Sequence, residues 1–222
     1  MPLLRGTFWD VPLPYAEAAA LQEELVAARI AGELPDTVLF LEHPPVITLG
    51  RRGREDYLKH AAAFYEQRGV EIVRSTRGGD VTYHAPGQLV MYPILQVAEL
   101  DAGSHGYLQL LEQTAVETAR AFGVEAYTRE GMAGAWTHKG KIAAIGFKLK
   151  RWVSYHGMSF NVDLDLAGFD TIVGCGLEGE DVTSLKALLG DEAPSLPEVR
   201  AVMAEVFGRL IQRPIELKPA GV

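Results

Sequence analysis

Apolar and polar positions along the chain recur with two periods, one near 3.6 residues and one near 2. Between Pro14 and about Ala31 the apolar residues Ala18, Leu21, Leu25 and Ala28 fall on one face, and Gly32 suits the end of the helix they predict. A second stripe, Leu108, Leu111, Ala115, Ala119 and Phe122, predicts an amphipathic helix that stops at Gly123. Ser195-Leu-Pro-Glu198 has the form of a capping box, and the helix it opens is expected to bury Val199, Val202, Val206 and Leu210. A further helix is predicted over about Asp56 to Arg68.

Extended segments lie between these helices. Phe8 to Val11 reads as a first strand. Asp36 to Leu41 is a nearly unbroken apolar run, the pattern of a strand covered on both faces. His43-Pro-Pro45 interrupts it, and Val46 to Leu49 resumes. Val70 to Arg74 and Leu89 to Leu95 read as strands, as do Met132 to His138, Lys141 to Lys150 and Tyr155 to Val162. Helices and strands interleave without strict alternation, and no repeat or linker divides the chain. A single domain over residues 1–222 is expected, of α/β (α+β) class, with a mixed β-sheet and helices packed on it.

Composition narrows the function. Of 222 residues, 48% are hydrophobic and 23% charged, which is ordinary for a globular protein with a full core. The formal net charge of −8 argues against a sequence-independent grip on nucleic acid, which needs phosphates neutralised by Lys and Arg. No apolar run reaches the length of a membrane span, and the N-terminus lacks the pattern of a signal peptide. The expectations are therefore a cytoplasmic protein, no nucleic-acid partner and no membrane partner. Two clusters reverse the overall charge: Arg51, Arg52 and Arg54, and Lys139, Lys141, Lys148, Lys150 and Arg151. Each is either a solvated face or a docking surface for an acidic partner.

Three segments are rich in Gly and polar residues where a core would need bulk. Arg77-Gly-Gly-Asp-Val-Thr-Tyr-His84-Ala-Pro-Gly-Gln88 places a paired glycine beside Arg, Thr, Tyr and His. It is either a tight turn entering a strand or a binding loop. In the second segment, a strand over Lys141 to Lys150 would put Lys141 in register with Ala143, Ile145, Phe147 and Leu149 on an apolar face. Such a lysine either snorkels to water or, if buried, seeks a negative partner. The third segment is Gly174-Cys175-Gly176, which holds the only cysteine, so no intramolecular disulfide exists. Flanking glycines favour an exposed thiol over a packed one. A nearby ammonium lowers a thiol from about 8.5 toward 7, where half is thiolate.

Together these segments resemble the lipoyl/octanoyl transferase family. Arg77 to Tyr92 is similar to that family's signature almost throughout. Lys141-Ile-Ala-Ala-Ile-Gly146, Tyr155-His-Gly157 and Asn161-Val resemble its second block, and Cys175-Gly followed by Val182-Thr-Ser184 its third. The resemblance implies the fold of lipoate-protein ligases and of the catalytic domain of biotin-protein ligases. It also implies octanoyl transfer to a lysine of a lipoyl domain from acyl carrier protein, which delivers the acyl group on its phosphopantetheine. No metal or resident cofactor is implied. The acceptors would be lipoyl domains of 2-oxo acid dehydrogenase complexes and the glycine cleavage H protein.

Carried over residue by residue, Cys175 matches the acyl-thioester nucleophile and Lys141 the lysine that activates it. Arg77, Gly78, Gly79, Asp80, Val81, Thr82, Tyr83 and His84 match a stretch lining the acyl substrate. So do Ala144, Ile145 and Gly146, and also Gly157, Met158 and Ser159. His84, and less so His156, are rival bases, and the Gly78-Gly79 turn is a candidate oxyanion site. The sequence departs from the family pattern at Gly174, Asp80 and Ala85, which stand where Pro, Gln and Gly are usual. Two alternatives stay open: an ATP-dependent lipoate or biotin ligase on the same fold, and a non-catalytic acyl- or lipoyl-domain-binding module.

Overall fold

The computed structural model describes residues 3–100, 103–173 and 181–221. The chain begins with strand β1 (Leu4–Phe8), helix α1 (Tyr15–Ala31) and strands β2 (Thr37–Leu41) and β3 (Val46–Leu49). A short helix α2 (Ala62–Glu66) leads to β4 (Glu71–Arg74), β5 (Val81–His84) and β6 (Gln88–Ile94). Helix α3 (Gly103–Ala121) is followed by β7 (Tyr127–Arg129), β8 (Met132–Thr137), β9 (Gly140–Lys150) and β10 (Val153–Asn161). Helices α4 (Leu185–Leu189) and α5 (Leu196–Leu210) and strand β11 (Ile215–Pro219) complete it.

Eight strands form one mixed sheet in the order β11-β1-β2-β6-β10-β9-β8-β7, and β4-β3-β5 form a second, smaller sheet. In β2 alternate side chains serve opposite faces. Val38 and Phe40 join the large core with α3 and α5, while Leu39 and Leu41 pack with Ala18, Leu21 and Leu25 of α1. That double burial is why the segment reads as one apolar run. The same parity holds in β6, where Leu89 and Met91 enter the large core and Val90 and Tyr92 face α1.

Several boundaries differ from the sequence reading. The first strand is Leu4–Phe8 rather than 8–11, because it is recruited by parallel pairing with both β2 and β11. The predicted helix over 56–68 is a single 3-10 turn, Glu55–Tyr57, and the five residues of α2. The segment between them is held instead by an antiparallel bridge from Leu58 to Ile172. The glycine-rich stretch after Arg77 contains β5, paired antiparallel with β3. In α5 the core face centres on Val199, Met203, Val206 and Phe207, while Val202 and Leu210 are half-buried. In α1 the most buried positions are Tyr15, Ala18, Gln22 and Val26.

Gln22 has a specific task. The ladder between β6 and β10 runs from Asn161↔Gln88 to Met158↔Met91 and then lapses beside Pro93, which has no N–H to donate. The Pro93 carbonyl accepts the Ser154 hydroxyl at 2.8 Å, and the His156 N–H donates to Gln22 Oε1 at 2.7 Å. Side chains thus satisfy backbone groups that the proline leaves without a ladder.

Candidate active site

A cavity of about 130 Å³ opens where β9 and β10 meet the smaller sheet. Four residues of β9 and β10 on its wall are small. Gly146 pairs with Gly157, and Ala144 with Ser159. The Arg77-Gly78 turn lies directly on this wall. A Cβ on Gly146 would sit 2.7 Å from the Gly78 carbonyl oxygen, and one on Gly157 would reach 2.8 Å from Pro93 Cδ and closer still to the Met91 carbonyl. Glycine is required there by close approach of backbones.

A β-bulge sets the position of Lys141. Gly134 and Ala135 of β8 pair with Ala144 and Ala143, but Trp136 pairs with Lys141, so Ile142 is the extra residue. Ile142 and Ala143 both turn into the large core, and Lys141 crosses to the cavity side with Ala144 and Gly146. The expectation that Lys141 shares the face of Ala143, Ile145, Phe147 and Leu149 is therefore corrected: the inserted residue inverts the alternation. Lys141 is 8% exposed, and its ammonium donates to the Ala133 carbonyl at 3.0 Å and lies 4.6 Å from the centre of the Trp136 ring. It does not snorkel to solvent.

Against this wall packs Arg77, also 8% exposed. Its guanidinium donates to Thr48 Oγ1 at 3.0 Å and to the carbonyls of Thr48, Asp80 and Gly78 at 2.6, 2.9 and 2.9 Å. From Thr48 a buried polar chain crosses the molecule. Thr48 Oγ1 lies 3.4 Å from His84 Nε2, and His84 Nδ1 lies 2.7 Å from Gln88 Oε1. The Gln88 amide donates to Asn161 Oδ1 at 2.9 Å, and the Asn161 amide to the Thr183 carbonyl at 2.9 Å. The Thr183 N–H returns to the Lys141 carbonyl at 3.0 Å, beside a parallel bridge from Lys141 to Val182. The loop of Arg77 and the strand of Lys141 are thus tied through one hydrogen-bonded path.

That path decides the role of His84. Because the Gln88 amide nitrogen donates elsewhere, its oxygen accepts from His84, which fixes the proton on Nδ1. Burial, reinforced by the neighbouring His43 and opposed by the bond to Gln88, holds the imidazole well below the ordinary histidine range. His84 thus sits buried with Nδ1 bonded to Gln88 and Nε2 3.4 Å from Thr48 Oγ1, an environment that favours its neutral form. His156 is pushed down to about 3 by burial and by Arg77 and Lys148, and its φ of 56° brings it to the cavity against strand parity. His43, held at about 4 by burial, bonds the Leu13 carbonyl and the Tyr92 hydroxyl.

The structure brings most of the expected residues to the one cavity. Arg77, Gly79, Asp80, Val81, Thr82 and His84 line it on one side. Lys141, Ala144, Ile145 and Gly146 line it from β9, and Gly157, Met158 and Ser159 from β10. Gly78, which backs the wall at Gly146, and Tyr83 do not themselves line the cavity. The Gly78 N–H is committed to the Phe147 carbonyl at 3.1 Å, which removes it as an oxyanion donor. The Tyr83 side chain packs in the smaller core, edge-on to Phe169 at 5.6 Å. Strand alternation in β5 explains its direction. Asp80 pairs with Arg52 at 3.2 Å on the cavity rim, which gives this chain's carboxylate a local partner. Cys175 and its neighbours Gly174 and Gly176 lie outside the described residues. The described flanks are fixed: the Val173 N–H donates to the Tyr57 carbonyl, and the Lys141 N–H to the Asp181 carbonyl, at 2.8 and 2.9 Å.

Sequence reasoning did not place several lining residues at the site: Arg52, named there only as part of a basic cluster, and Val90, Tyr92, Gly131, Met132 and Ala133. The signal for Val90 and Tyr92 was present in the parity of β6. Nothing in the sequence marked Met132 and Ala133, which come from a strand of no unusual composition.

Comparison with known proteins agrees with this architecture. The model of the lipoyl protein ligase A/B catalytic domain matches residues 14–208. An octanoyltransferase from Syntrophotalea carbinolica is 44% identical over 90% of this chain and 91% of its own. Another from Geobacter metallireducens is 43% identical over 90% of each. Among solved structures, a putative lipoate protein ligase from Thermoplasma acidophilum with bound lipoic acid superposes with a TM-score of 0.73 at 14% identity, over 98% of this chain and 90% of that one. A biotin acetyl coenzyme A carboxylase synthetase from Helicobacter pylori gives a TM-score of 0.54 at 12% identity, over 94% and 74%. With the mixed sheet, the small-residue wall and the buried lysine in place, the chain belongs to the lipoyl protein ligase A/B catalytic domain family.

Proposed function

We propose that this protein is an octanoyltransferase that takes a medium-chain acyl group from the phosphopantetheine thioester of acyl carrier protein, carries it on Cys175, and passes it to a lysine of a lipoyl domain. The observation that carries the reading is the buried Lys141 ammonium on the cavity wall, bridged through its backbone to residues 181–183, directly after the segment holding the only cysteine. Lys141 stabilises the Cys175 thiolate, which attacks the thioester carbonyl. As the tetrahedral intermediate collapses, the C–S bond to pantetheine breaks and the departing thiolate takes a proton from Lys141. Neutral Lys141 then accepts a proton from the incoming lysine ammonium. The freed amine attacks the enzyme thioester, the C–S bond to Cys175 breaks as the tetrahedral intermediate collapses, the second amine proton passes to solvent, and Cys175 leaves as thiolate beside the restored ammonium. Val90, Ile145 and Met158, with the glycines between them, supply an apolar slot for the acyl chain.

A ligase of the same fold forms an adenylate and needs no cysteine, so one experiment separates the readings. Purified protein is incubated with octanoyl-acyl carrier protein without ATP, and intact mass is recorded for wild type and Cys175→Ala. One octanoyl adduct, removable by hydroxylamine and missing from the variant, is the expected result. Absence of any adduct, with acyl transfer appearing only when ATP and free octanoate are added, overturns the proposal in favour of a ligase. No adduct and no transfer under either condition leaves a binding module.

A further inference from the structure

The floor of the cavity is paved with small residues across two strands and walled at the third. Across the sheet the strands run in the order β6, β10, β9, β8. The two middle strands contribute Gly157 and Ser159 of β10 and Gly146 and Ala144 of β9, paired as two rows. Over β8 the strip ends at the Lys141 ammonium, which donates to the Ala133 carbonyl. On β6 the rows run into bulk. Val90 pairs with Ser159, and Tyr92 stands one step beyond the pair Met158↔Met91, level with Gly157. The Tyr92 side chain is braced. It is 4% exposed, packs among Ala18, Leu39 and Leu41, and its hydroxyl lies 2.8 Å from His43 Nε2. His43 is held in turn, its Nδ1 2.7 Å from the Leu13 carbonyl and its ring 5.1 and 5.6 Å from those of Tyr15 and His84. A ring fixed at its root by the strand and at its tip by His43 swings aside only by breaking a buried hydrogen bond.

We propose that Tyr92, with Val90 beside it, is the end stop that sets the length of acyl chain this protein accepts. The inference rests on the proposed function, which puts the thioester beside Lys141 and lets the chain run across β9 and β10. Neighbouring strands lie about 4.8 Å apart, so β8 and β6 are separated by three spacings, roughly 14 Å. Van der Waals contact at the two ends takes up about 4 Å of this and leaves about 10 Å. An extended chain advances roughly 1.2 Å per bond, as in a peptide whose three backbone bonds span about 3.6 Å. About eight bonds, from a thioester sulfur to the eighth carbon, fill that length. The sheet is thereby a ruler graduated in strand spacings, and the ring on β6 is its end. A chain one methylene too long meets the braced ring, a mismatch that discriminates by roughly 10- to 200-fold.

Two readouts separate this inference from the reading it rests on. Binding of saturated fatty acids of six to twelve carbons is measured by calorimetry, which needs no transfer. In parallel the protein is offered an equimolar mixture of hexanoyl-, octanoyl-, decanoyl- and dodecanoyl-acyl carrier protein, and the adducts are resolved by intact mass. Wild type is expected to favour eight carbons and to lose at least about tenfold by twelve. Tyr92→Leu, which keeps apolar bulk but removes the ring, is expected to move the optimum to ten or twelve carbons. Tyr92→Phe, which keeps the ring, is expected to hold most of the wild-type profile. Val90→Ala opens the other half of the same wall and is expected to move the optimum the same way by a smaller step. Circular dichroism shows which variants are folded. An unchanged length profile in folded Tyr92→Leu overturns the inference, and Val90→Ala decides in the same way if Tyr92→Leu does not fold. A wild type that neither binds a fatty acid nor forms an adduct overturns it too. A length profile in binding that moves with Tyr92, without any covalent adduct, leaves the end stop standing and overturns the transfer reading instead.

Discussion

The two faces of the eight-stranded sheet are built on opposite rules. Under α3 and α5 the face is apolar and bulky, with Phe40, Phe160, Phe207 and Tyr107 fully buried. On the other face α1 covers one part with leucines, but the part beside the smaller sheet is lined by Gly146, Gly157, Ala144 and Ser159 and crossed by buried polar groups. The first face holds the sheet together through burial of apolar area. The second keeps space open and fills its margin with a hydrogen-bonded chain from Arg77 to Lys141. Stability and chemistry are thereby assigned to different sides of the same strands.

Paired substitutions give the sharpest way to break this comparison. Lys141→Met, on the cavity side, is expected to lower acyl transfer by about 10²- to 10⁴-fold, with a change in unfolding free energy within about 1 kcal/mol. Steady-state kinetics and urea denaturation check it together, and a large loss of stability would join the two faces. Phe207→Ala is the converse. It is expected to destabilise by about 3–5 kcal/mol while the folded fraction keeps its transfer rate.

Mild acid, above the carboxylate range, probes the polar side. His43, His84 and His156 are held neutral by burial, so below about pH 6.5 the unfolded chain binds protons that the folded chain refuses. Stability is expected to fall with pH from there toward the folded midpoints near 4 and 3 for His43 and His156, by about 1.4 kcal/mol per pH unit for each. Denaturation at several pH values measures the slope, and replacing His43 by Gln should reduce it. The smallest effect is steric. Gly157→Ala, whose Cβ would press on the Met91 carbonyl, is expected to cost about 1–3 kcal/mol and to narrow the cavity, raising KM for the acyl donor.

These contrasts mark what was legible before the structure. The run from Asp36 to Leu41, the capping box at Ser195 and the terminating Gly32, whose φ is 76°, are local signals and lie where the pattern put them. The glycine pair after Arg77 and the Ala-Ile-Gly segment of β9 were recognisable because close backbone approach leaves a mark in composition. Lys141 was noticed for the right anomaly but placed on the wrong face, since a one-residue bulge is set by pairing with β8 and has no signature in β9 itself. His84 was a rival base on paper, and nothing adjacent in the sequence announced its contacts with Gln88 and Thr48 or its burial. Gln22, on a helix more than a hundred residues from the strand it repairs, gave no sign of bonding the His156 backbone.

The sequence by itself determined the family, the order of the main elements and the inventory of reactive groups, because each is written in residues adjacent along the chain or in short periods. Which groups face one another was decided by the tertiary structure alone. Strand pairing selects the bulge that turns Lys141 toward the cavity and onto Trp136, and burial pushes His84 and His156 toward the neutral form. Those properties depend on desolvation and on distances between segments far apart in sequence, and neither quantity exists until the sheet has closed around them.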